Sequence, residues 1–214
     1  MAQIFPQWAN EVPRRMLLGL IIVVTAMVAG VWYYFSPEYT DVGYAPEQPV
    51  PYSHKLHAGE LGLDCQYCHS EVFNSKQANV PATQTCMNCH EQIATDSENL
   101  AEIRESWETG QPVEWVRVHN LPDYAYFNHA AHVNVGVGCE TCHGRVDRME
   151  VVFQKEPLSM SWCLDCHRNP EQYVRPVEEV TTMGFQPENQ VEMGRDLVAK
   201  HNIQPPTYCQ SCHY

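Results

Sequence analysis

The hydrophobic and polar positions divide the chain into two dissimilar parts. Residues 16–35 form a run of twenty positions without a charged side chain, which is the length that a helix needs to span a bilayer. Beyond this run the apolar positions are scattered among polar ones, and prolines are frequent. The pattern therefore predicts one N-terminal transmembrane helix, followed by a part that is built of short helices and long loops.

Two segments of the polar part have a helical period. In residues 97–110, Leu100, Ile103 and Trp107 fall on one predicted apolar face. Residues 188–201 predict a second helix, in which the apolar face includes the last residue, His201. We therefore expect two amphipathic helices, the second of which directs an imidazole inward.

The apolar run is predicted to be a retained signal anchor rather than a cleaved signal peptide. It is longer than the about 7–15 residues of a signal-peptide core, and it ends in bulky aromatic residues. Arg14 and Arg15 precede it, so the positive-inside rule places residues 1–15 in the cytoplasm and the remainder outside. Residues 36–52 contain four prolines and predict an extended stalk, which leaves residues 53–214 as the folded domain.

Cysteine spacing gives the first indication of chemistry. All ten cysteines lie in C-x-x-C-H motifs, at Cys65/Cys68/His69, Cys86/Cys89/His90, Cys139/Cys142/His143, Cys163/Cys166/His167 and Cys209/Cys212/His213. This motif is the attachment signature of c-type haem, since two thioether bonds need sulfurs one short turn apart and the next residue must direct an imidazole to the iron. The sequence therefore predicts five covalently bound haem c groups, with the five motif histidines as axial ligands.

Two simpler interpretations of the cysteines are disfavoured. Zinc sites also use C-x-x-C, but they complete a tetrahedron with a second ligand pair and need no histidine directly after the second cysteine. Redox dithiols occur singly in a βαβ context. Because five macrocycles must be enclosed by the 179 residues beyond residue 35, we predict a haem-cored multihaem cytochrome c of loops and short α-helices.

The remaining histidines are candidates for the second axial position of each iron. Six histidines lie outside the motifs, namely His54, His57, His119, His129, His132 and His201. Residues 54–90 and 129–167 share H-x-x-H followed by two C-x-x-C-H motifs, which indicates two copies of a dihaem unit. Residues 201–213 resemble half a unit. His119 is surplus and could be a ligand or structural, while Met149 and Met160 are the reserve ligands.

The charge of the polar part is strongly acidic. All but two of the 13 Lys and Arg residues and all but one of the 26 Asp and Glu residues lie beyond residue 35, so this part has a net charge of −14. Nucleic acid is excluded as a partner for such a surface. The acidic surface could attract a basic redox partner, or it could simply maintain solubility.

The motifs resemble known families. The H-x-x-H and C-x-x-C-H arrangement resembles the small multihaem class III and c7 cytochromes. The anchor, the five motifs and the segments "HNLPDYAYFNHAAH" and "PLSMSWCLDCHR" are together similar to the pentahaem membrane-anchored A subunit of bacterial alternative complex III, a quinol:electron-acceptor oxidoreductase.

This resemblance implies a place and a set of partners. The chain would be a single-pass protein of the bacterial cytoplasmic membrane, with its haem domain on the periplasmic side. Its partners would be an iron–sulfur subunit, polytopic quinol-binding subunits and a monohaem cytochrome c, and the acceptor would be a soluble cytochrome c or a terminal oxidase.

We therefore expect an electron-transfer subunit without catalysis of its own. A multihaem reductase needs one iron with an open position, whereas the spare histidines here outnumber the irons. The nearer alternative is a stand-alone anchored quinol dehydrogenase of the tetrahaem type, which has four motifs rather than five.

Overall fold

The N-terminal unit of the protein is a single long helix with short flanking turns. The computed structural model describes residues 4–213 and divides the chain into the units Met1–Asp41 and Val42–Tyr214. The first unit contains a 3₁₀ turn (Gln7–Asn10), helix α1 (Val12–Tyr34) and the single turn α2 (Pro37–Thr40). The continuous helical stretch from Gln7 to Tyr34 is long and apolar enough to cross a membrane, and no part of its apolar window is buried by protein.

The second unit consists of short helices joined by irregular segments. Its α-helices are α3 (Cys65–Cys68), α4 (Thr83–His90), α5 (Ala101–Thr109), α6 (His129–Val133), α7 (Cys139–His143), α8 (Met160–Arg168) and α9 (Gln190–His201). A π-helical segment spans Lys55–Glu60, and 3₁₀ turns lie at Glu98–Leu100, Val146–Arg148, Pro170–Gln172, Val177–Glu179 and Cys209–Ser211. Residues 4–213 contain no β-strand, and Val137 and Val174 form an isolated bridge.

The side-chain core of this unit is small. Over residues 4–213 the structure buries nine hydrophobic side chains, of which most belong to two separate clusters. One cluster contains Val50, Met87 and Ile103, and the other contains Val72, Val133 and Val180. A folded domain of this length normally buries a single contiguous core, and the buried side chains of the described residues do not form one.

Helices α5 and α9 form close to the predicted positions, but their buried faces differ from the prediction. In α5, Ile103 is buried as expected, whereas Trp107 is 41% exposed, so the prediction that Trp107 belongs to the apolar face is wrong. Ser106 is buried instead, and its hydroxyl donates to the Gln111 carbonyl at 2.6 Å. In α9 the terminal His201 is exposed, and therefore the expected inward imidazole is not observed.

The segment predicted to be a stalk is largely part of the folded unit. The Gly43 amide donates to the Gln154 carbonyl at 2.8 Å, and the Gln48 side chain pairs with both backbone groups of Val116. Val50 is 4% exposed in the first hydrophobic cluster. The boundary between the two units accordingly lies between residues 41 and 42 rather than at residue 52. The prolines favour an extended backbone in this segment, and the tertiary contacts hold that backbone against the folded unit.

The exposed apolar helix leads to a prediction about extraction. We expect the full chain to remain with the membrane after washing with high salt or alkaline carbonate and to be released by detergent, because about twenty exposed apolar residues favour the hydrocarbon phase. Fractionation followed by immunodetection of the N-terminus checks this. Release of an N-terminally intact chain by salt alone, or a mature N-terminus near Gly30, would contradict the anchor.

Candidate haem sites

Each C-x-x-C-H motif lies on a short helical turn. Four cysteine pairs lie in α3, α4, α7 and α8, and the fifth pair lies at the start of the 3₁₀ turn Cys209–Ser211 and directly after it, at Cys212. Residues three apart on such a turn project to the same side, so both thiols of a pair can reach one macrocycle edge. None of the ten cysteines forms a disulfide bond. The local fold therefore presents each pair in the way that thioether attachment requires.

The arrangement does not fit a zinc site. Among residues 4–213, no group of three or more His, Cys, Asp or Glu side chains lies close enough to hold one metal ion. A structural zinc ion needs four such ligands within about 2.0–2.3 Å. In the described residues the motifs are therefore not grouped as the ligands of a zinc site are, even though their cysteines have a spacing that zinc sites also use.

Four of the five motif histidines each face one histidine of an H-x-x-H pair. The ring centroids are 6.5 Å apart for His54 and His69, 6.3 Å for His57 and His90, 6.3 Å for His129 and His143, and 6.0 Å for His132 and His167. In each repeat the first histidine of the H-x-x-H pair thus faces the first motif, and the second faces the second motif.

These separations match a pair of axial ligands. A metal–imidazole bond is about 2.0–2.1 Å long for zinc, and a ring centroid lies roughly 1 Å behind its nitrogen, so two imidazoles on opposite sides of one ion have centroids about 6 Å apart. Imidazoles in direct stacking contact would be closer, as are Tyr52 and His57 at 4.5 Å. The four pairs therefore have the centroid separations of two imidazoles on opposite sides of one metal ion.

Backbone carbonyls orient most of these imidazoles. A carbonyl oxygen can only accept a proton, so the Nδ1 atom that contacts it is the protonated nitrogen and Nε2 is left free to bind metal. Seven histidines donate in this way at 2.6–3.0 Å, namely His57 to Ser53, His69 to Asn79, His90 to Ile93, His129 to Lys76, His132 to Asn128, His167 to Pro206 and His213 to Tyr124.

Burial keeps several of the histidines in the neutral form that binds iron. Desolvation and the neighbouring His69 lower the pKa of His54 to about 4, and burial beside His119 and His129 lowers the pKa of His143 to about 3. Desolvation also lowers the pKa of His132. Since the charged imidazolium has no free nitrogen, these environments favour ligation over protonation at neutral pH.

One loop of the first repeat connects the first and third sites. The carbonyl of Asn79 accepts from the motif histidine His69, and the carbonyl of Lys76 accepts from His129 of the second repeat. In addition, the amides of His129 and Ala130 donate to the carbonyls of this loop. The two dihaem units are therefore joined through groups that orient the imidazoles of both.

The segment before the fifth motif contacts the fourth site, and residues 124–126 contact the fifth motif. The carbonyl of Pro206, just before the fifth motif, orients His167. The carbonyl of Tyr124 orients His213, and the Tyr126 amide donates to the Cys212 carbonyl at 2.9 Å. These contacts place residues 124–126 directly beside the fifth motif.

The other candidate ligands lie in unlike surroundings. His119 packs edge-to-face on His143 at 4.3 Å, and its Nε2 atom is buried without a hydrogen-bond partner. His201 is exposed at the end of α9 and makes no ring contact with another histidine of residues 4–213. Met149 is buried, whereas Met160 is 67% exposed at the start of α8. The fifth motif thus faces no second histidine in the described chain.

Sequence analysis did not anticipate the groups that orient the ligands. The carbonyls of Asn79, Lys76 and Pro206 have no side-chain signature, because any residue supplies a carbonyl. Tyr52 and Phe127 each lie two positions before an H-x-x-H pair. This shared aromatic position could have been found in the sequence, but the spacing of the cysteine and histidine motifs does not include it. Both aromatic rings contact both histidines of their pair.

Comparisons with known proteins agree with this arrangement. Residues 50–105 match the family of cytochrome c7 and related cytochrome c, and residues 131–214 match the family of cytochrome c3. The chain is also similar to the multihaem cytochrome c subunit of menaquinone reductase from Nitratidesulfovibrio vulgaris, at 29% identity over 188 residues, which cover 75% of this chain and 87% of that subunit.

The two matched segments contain all five motifs, the first two in residues 50–105 and the other three in residues 131–214. The predicted fold class is therefore confirmed: residues 50–105 and 131–214 match multihaem cytochrome families, which imply covalently bound haem c, and the described chain beyond α1 consists of short helices and loops. The similarity to alternative complex III in particular stays a prediction.

Proposed function

We propose that this chain is the membrane-anchored pentahaem subunit of a quinone-linked oxidoreductase complex and that it relays electrons between a quinone-binding partner and a second redox carrier. The observation that supports this most directly is the set of four facing histidine pairs, each about 6 Å across and each next to a complete cysteine motif. Haem c held between two histidines supplies reversible one-electron iron chemistry.

Each site is assigned a set of holding residues. The cysteines of a motif attach the group, and the motif histidine provides one axial nitrogen. The second nitrogen comes from His54 at the first motif, His57 at the second, His129 at the third and His132 at the fourth. The Nδ1–carbonyl hydrogen bonds fix the tautomer and hold the rings in place, which limits rearrangement when the charge of a site changes.

The spatial order of the motifs differs from their order in the chain. The H-x-x-H pairs bring together sites 1 and 2 in one repeat and sites 3 and 4 in the other, and the loop containing Lys76 and Asn79 joins sites 1 and 3. The Pro206 carbonyl, just before site 5, contacts His167 of site 4. The Tyr124 carbonyl contacts His213 of site 5, and Tyr124 lies in the segment that leads to the second H-x-x-H pair. We therefore assign the series 2–1–3–4–5, with its two ends at the Cys86 and Cys209 motifs.

Both ends of the series are accessible. Cys89 of the second motif and Cys209 of the fifth motif are exposed, whereas the thiols between them are only partly accessible. Redox partners must approach closely for efficient transfer, so we assign entry and exit to these two ends.

For the fifth site we propose His119 as the second axial ligand. A buried nitrogen without a hydrogen-bond partner is costly, and binding to a metal would remove this cost. His119 also lies five residues before Tyr124, whose carbonyl orients His213. Neither ring has a contact with His213 among residues 4–213: His119 packs on His143 of the third motif at 4.3 Å, and His201 is exposed, so the choice rests on the buried, unpaired nitrogen of His119.

The partners follow from the relative and from the anchor. The similar subunit belongs to a menaquinone reductase, and a single apolar helix needs other membrane subunits to form an enclosed quinone site. Among such complexes, five motifs and the segments around His119 and Met160 support an assembly of the alternative complex III kind, with iron–sulfur, polytopic and monohaem cytochrome subunits. The haem domain would lie on the periplasmic side.

The number of haem groups is the first test of this proposal. We expect the intact mass of the mature, detergent-purified chain to include five covalent haem additions, because all five motifs are complete. The double variant Cys209→Ala/Cys212→Ala should retain four, with the other four motifs unaffected. Fewer than five additions on a chain matured with ample haem, or no loss in the variant, would contradict the assignment.

A further inference from the structure

The two repeats share an aromatic residue in the same place. Tyr52 and Phe127 each lie two residues before an H-x-x-H pair. Tyr52 meets His54 at 4.8 Å and 88° and stacks on His57 at 4.5 Å and 23°. Phe127 meets His129 at 4.8 Å and 89° and stacks on His132 at 4.4 Å and 27°. The agreement holds although the two rings differ by a hydroxyl group, so the common feature is the aromatic face.

The second histidine of each pair is held from two directions. Its Nδ1 atom donates to a carbonyl four residues earlier, Ser53 for His57 and Asn128 for His132, at 2.8 Å in both cases. Rotation of a histidine ring about its last bond is broad and only weakly restricted by itself. The hydrogen bond still permits the ring to tilt about the N–H direction, and the aromatic face removes this remaining freedom.

The ligand planes fall into two classes. In the first site of each repeat the two imidazoles are almost parallel, with interplanar angles of 2° for His54 and His69 and 8° for His129 and His143. In the second site the planes are inclined to each other, steeply at 65° for His57 and His90 and at an intermediate 40° for His132 and His167. The inclined planes occur at the two histidines whose faces the aromatic rings cover.

We infer that Tyr52 and Phe127 are positioning residues that fix the planes of His57 and His132, so that each repeat contains one haem with parallel axial imidazoles and one with inclined imidazoles. The inference rests on the proposed bis-histidine ligation. Iron has two d-orbitals of π symmetry toward the imidazoles. Parallel imidazoles interact with one of these orbitals more than with the other, which separates the two orbitals in energy. Inclined imidazoles interact with both and leave them closer together.

This difference is visible by electron paramagnetic resonance of the oxidised protein. A small splitting gives a strongly anisotropic low-spin signal with a large maximum g value, whereas a large splitting gives an ordinary rhombic signal. We expect both kinds of signal in the purified holoprotein, with the two sites that have inclined imidazoles contributing the anisotropic component. Since both histidines stay bound in either geometry, total low-spin intensity reports the ligation separately from the plane angle.

The test uses the variants Phe127→Leu and Phe127→Tyr in the full chain. Leucine fills similar space without a flat face, so Phe127→Leu should keep five haems, all low-spin, and shift one anisotropic signal toward smaller g anisotropy. Phe127→Tyr is the matched control, because the other repeat uses tyrosine at this place, and it should leave the spectrum unchanged. An unchanged anisotropic signal in Phe127→Leu would overturn the inference.

A second variant and peptide mapping cover the case of poor maturation. Tyr52→Leu should produce the same shift at the second site, with Tyr52→Phe as its control. If Phe127→Leu loses a haem, tryptic mapping should locate the loss at Cys163 and Cys166, whose distal histidine is stacked. Loss at Cys139 and Cys142 would contradict the positioning role. High-spin iron in the unsubstituted protein would instead contradict the proposed ligation itself.

Discussion

Replacement of His57 by alanine is expected to convert one haem, at the Cys86 motif, from six-coordinate low-spin to five-coordinate high-spin iron. His57 faces His90 across 6.3 Å, so its removal leaves that iron without a second nitrogen. The reduced variant should then bind carbon monoxide at one site per chain, whereas the unsubstituted protein should bind very little. Resonance spectra and carbon monoxide titration measure the change.

A double variant assigns the effect to one motif. In a chain that lacks the second haem through Cys86→Ala/Cys89→Ala, His57→Ala should produce no additional high-spin iron, because its partner site is already gone. His54→Ala in the same background should still produce one, at the first motif. The pairing would be wrong if these two outcomes were reversed, or if His57→Ala alone left all irons low-spin.

The same approach resolves the fifth site. His119→Ala should produce one high-spin iron and His201→Ala none, because His119 has the buried unpaired nitrogen while His201 is exposed. The Cys209→Ala/Cys212→Ala background distinguishes a ligand from a packing role: there, His119→Ala should add no high-spin iron. High-spin iron in His201→Ala, with none in His119→Ala, would assign the site to His201 instead.

The isolated, fully haemylated subunit is expected to turn over quinones at least about 100-fold more slowly than the intact complex, which corresponds to about 2.7 kcal/mol of activation free energy. One exposed apolar helix provides no enclosed pocket in which a quinone could be bound and deprotonated. The assay follows oxidation of a menaquinol analogue and reduction of the matching menaquinone, since a relay serves either direction. Nitrite reduction should be equally slow.

Two controls make this measurement decisive. Chemical reduction by dithionite must reduce all five haems of the isolated subunit, which excludes damage as the cause of slow turnover. Reconstitution with the membrane partners must restore the rate. Rates comparable to those of the complex in the isolated subunit would establish a quinol dehydrogenase, and rapid nitrite reduction would establish a reductase.

The cysteine motifs and the repeat could be predicted from the sequence because their chemistry depends on local spacing. Two thiols and an imidazole within five residues act through one helical turn, wherever that turn lies. The number of motifs, the two H-x-x-H units and the exposed apolar helix needed no knowledge of long-range contacts. Trp107 and His201 were predicted to be buried but are exposed. A helical period shows which residues share a face of a helix, whereas burial depends on which distant segment packs against that face.

What the sequence by itself determined is therefore the fold class and the type of cofactor, while the attachment of haem at the five motifs stays a prediction. Only the tertiary structure decided which H-x-x-H histidine faces which motif, that the carbonyls of Lys76 and Asn79 orient histidines of two repeats, and that residues 42–52 belong to the folded unit. Carbonyl groups and ring stacking produce these relations. Every residue has a carbonyl group, and an aromatic ring can stack on many kinds of neighbour. Such interactions therefore depend on where the backbone lies in space rather than on the identity of the residue.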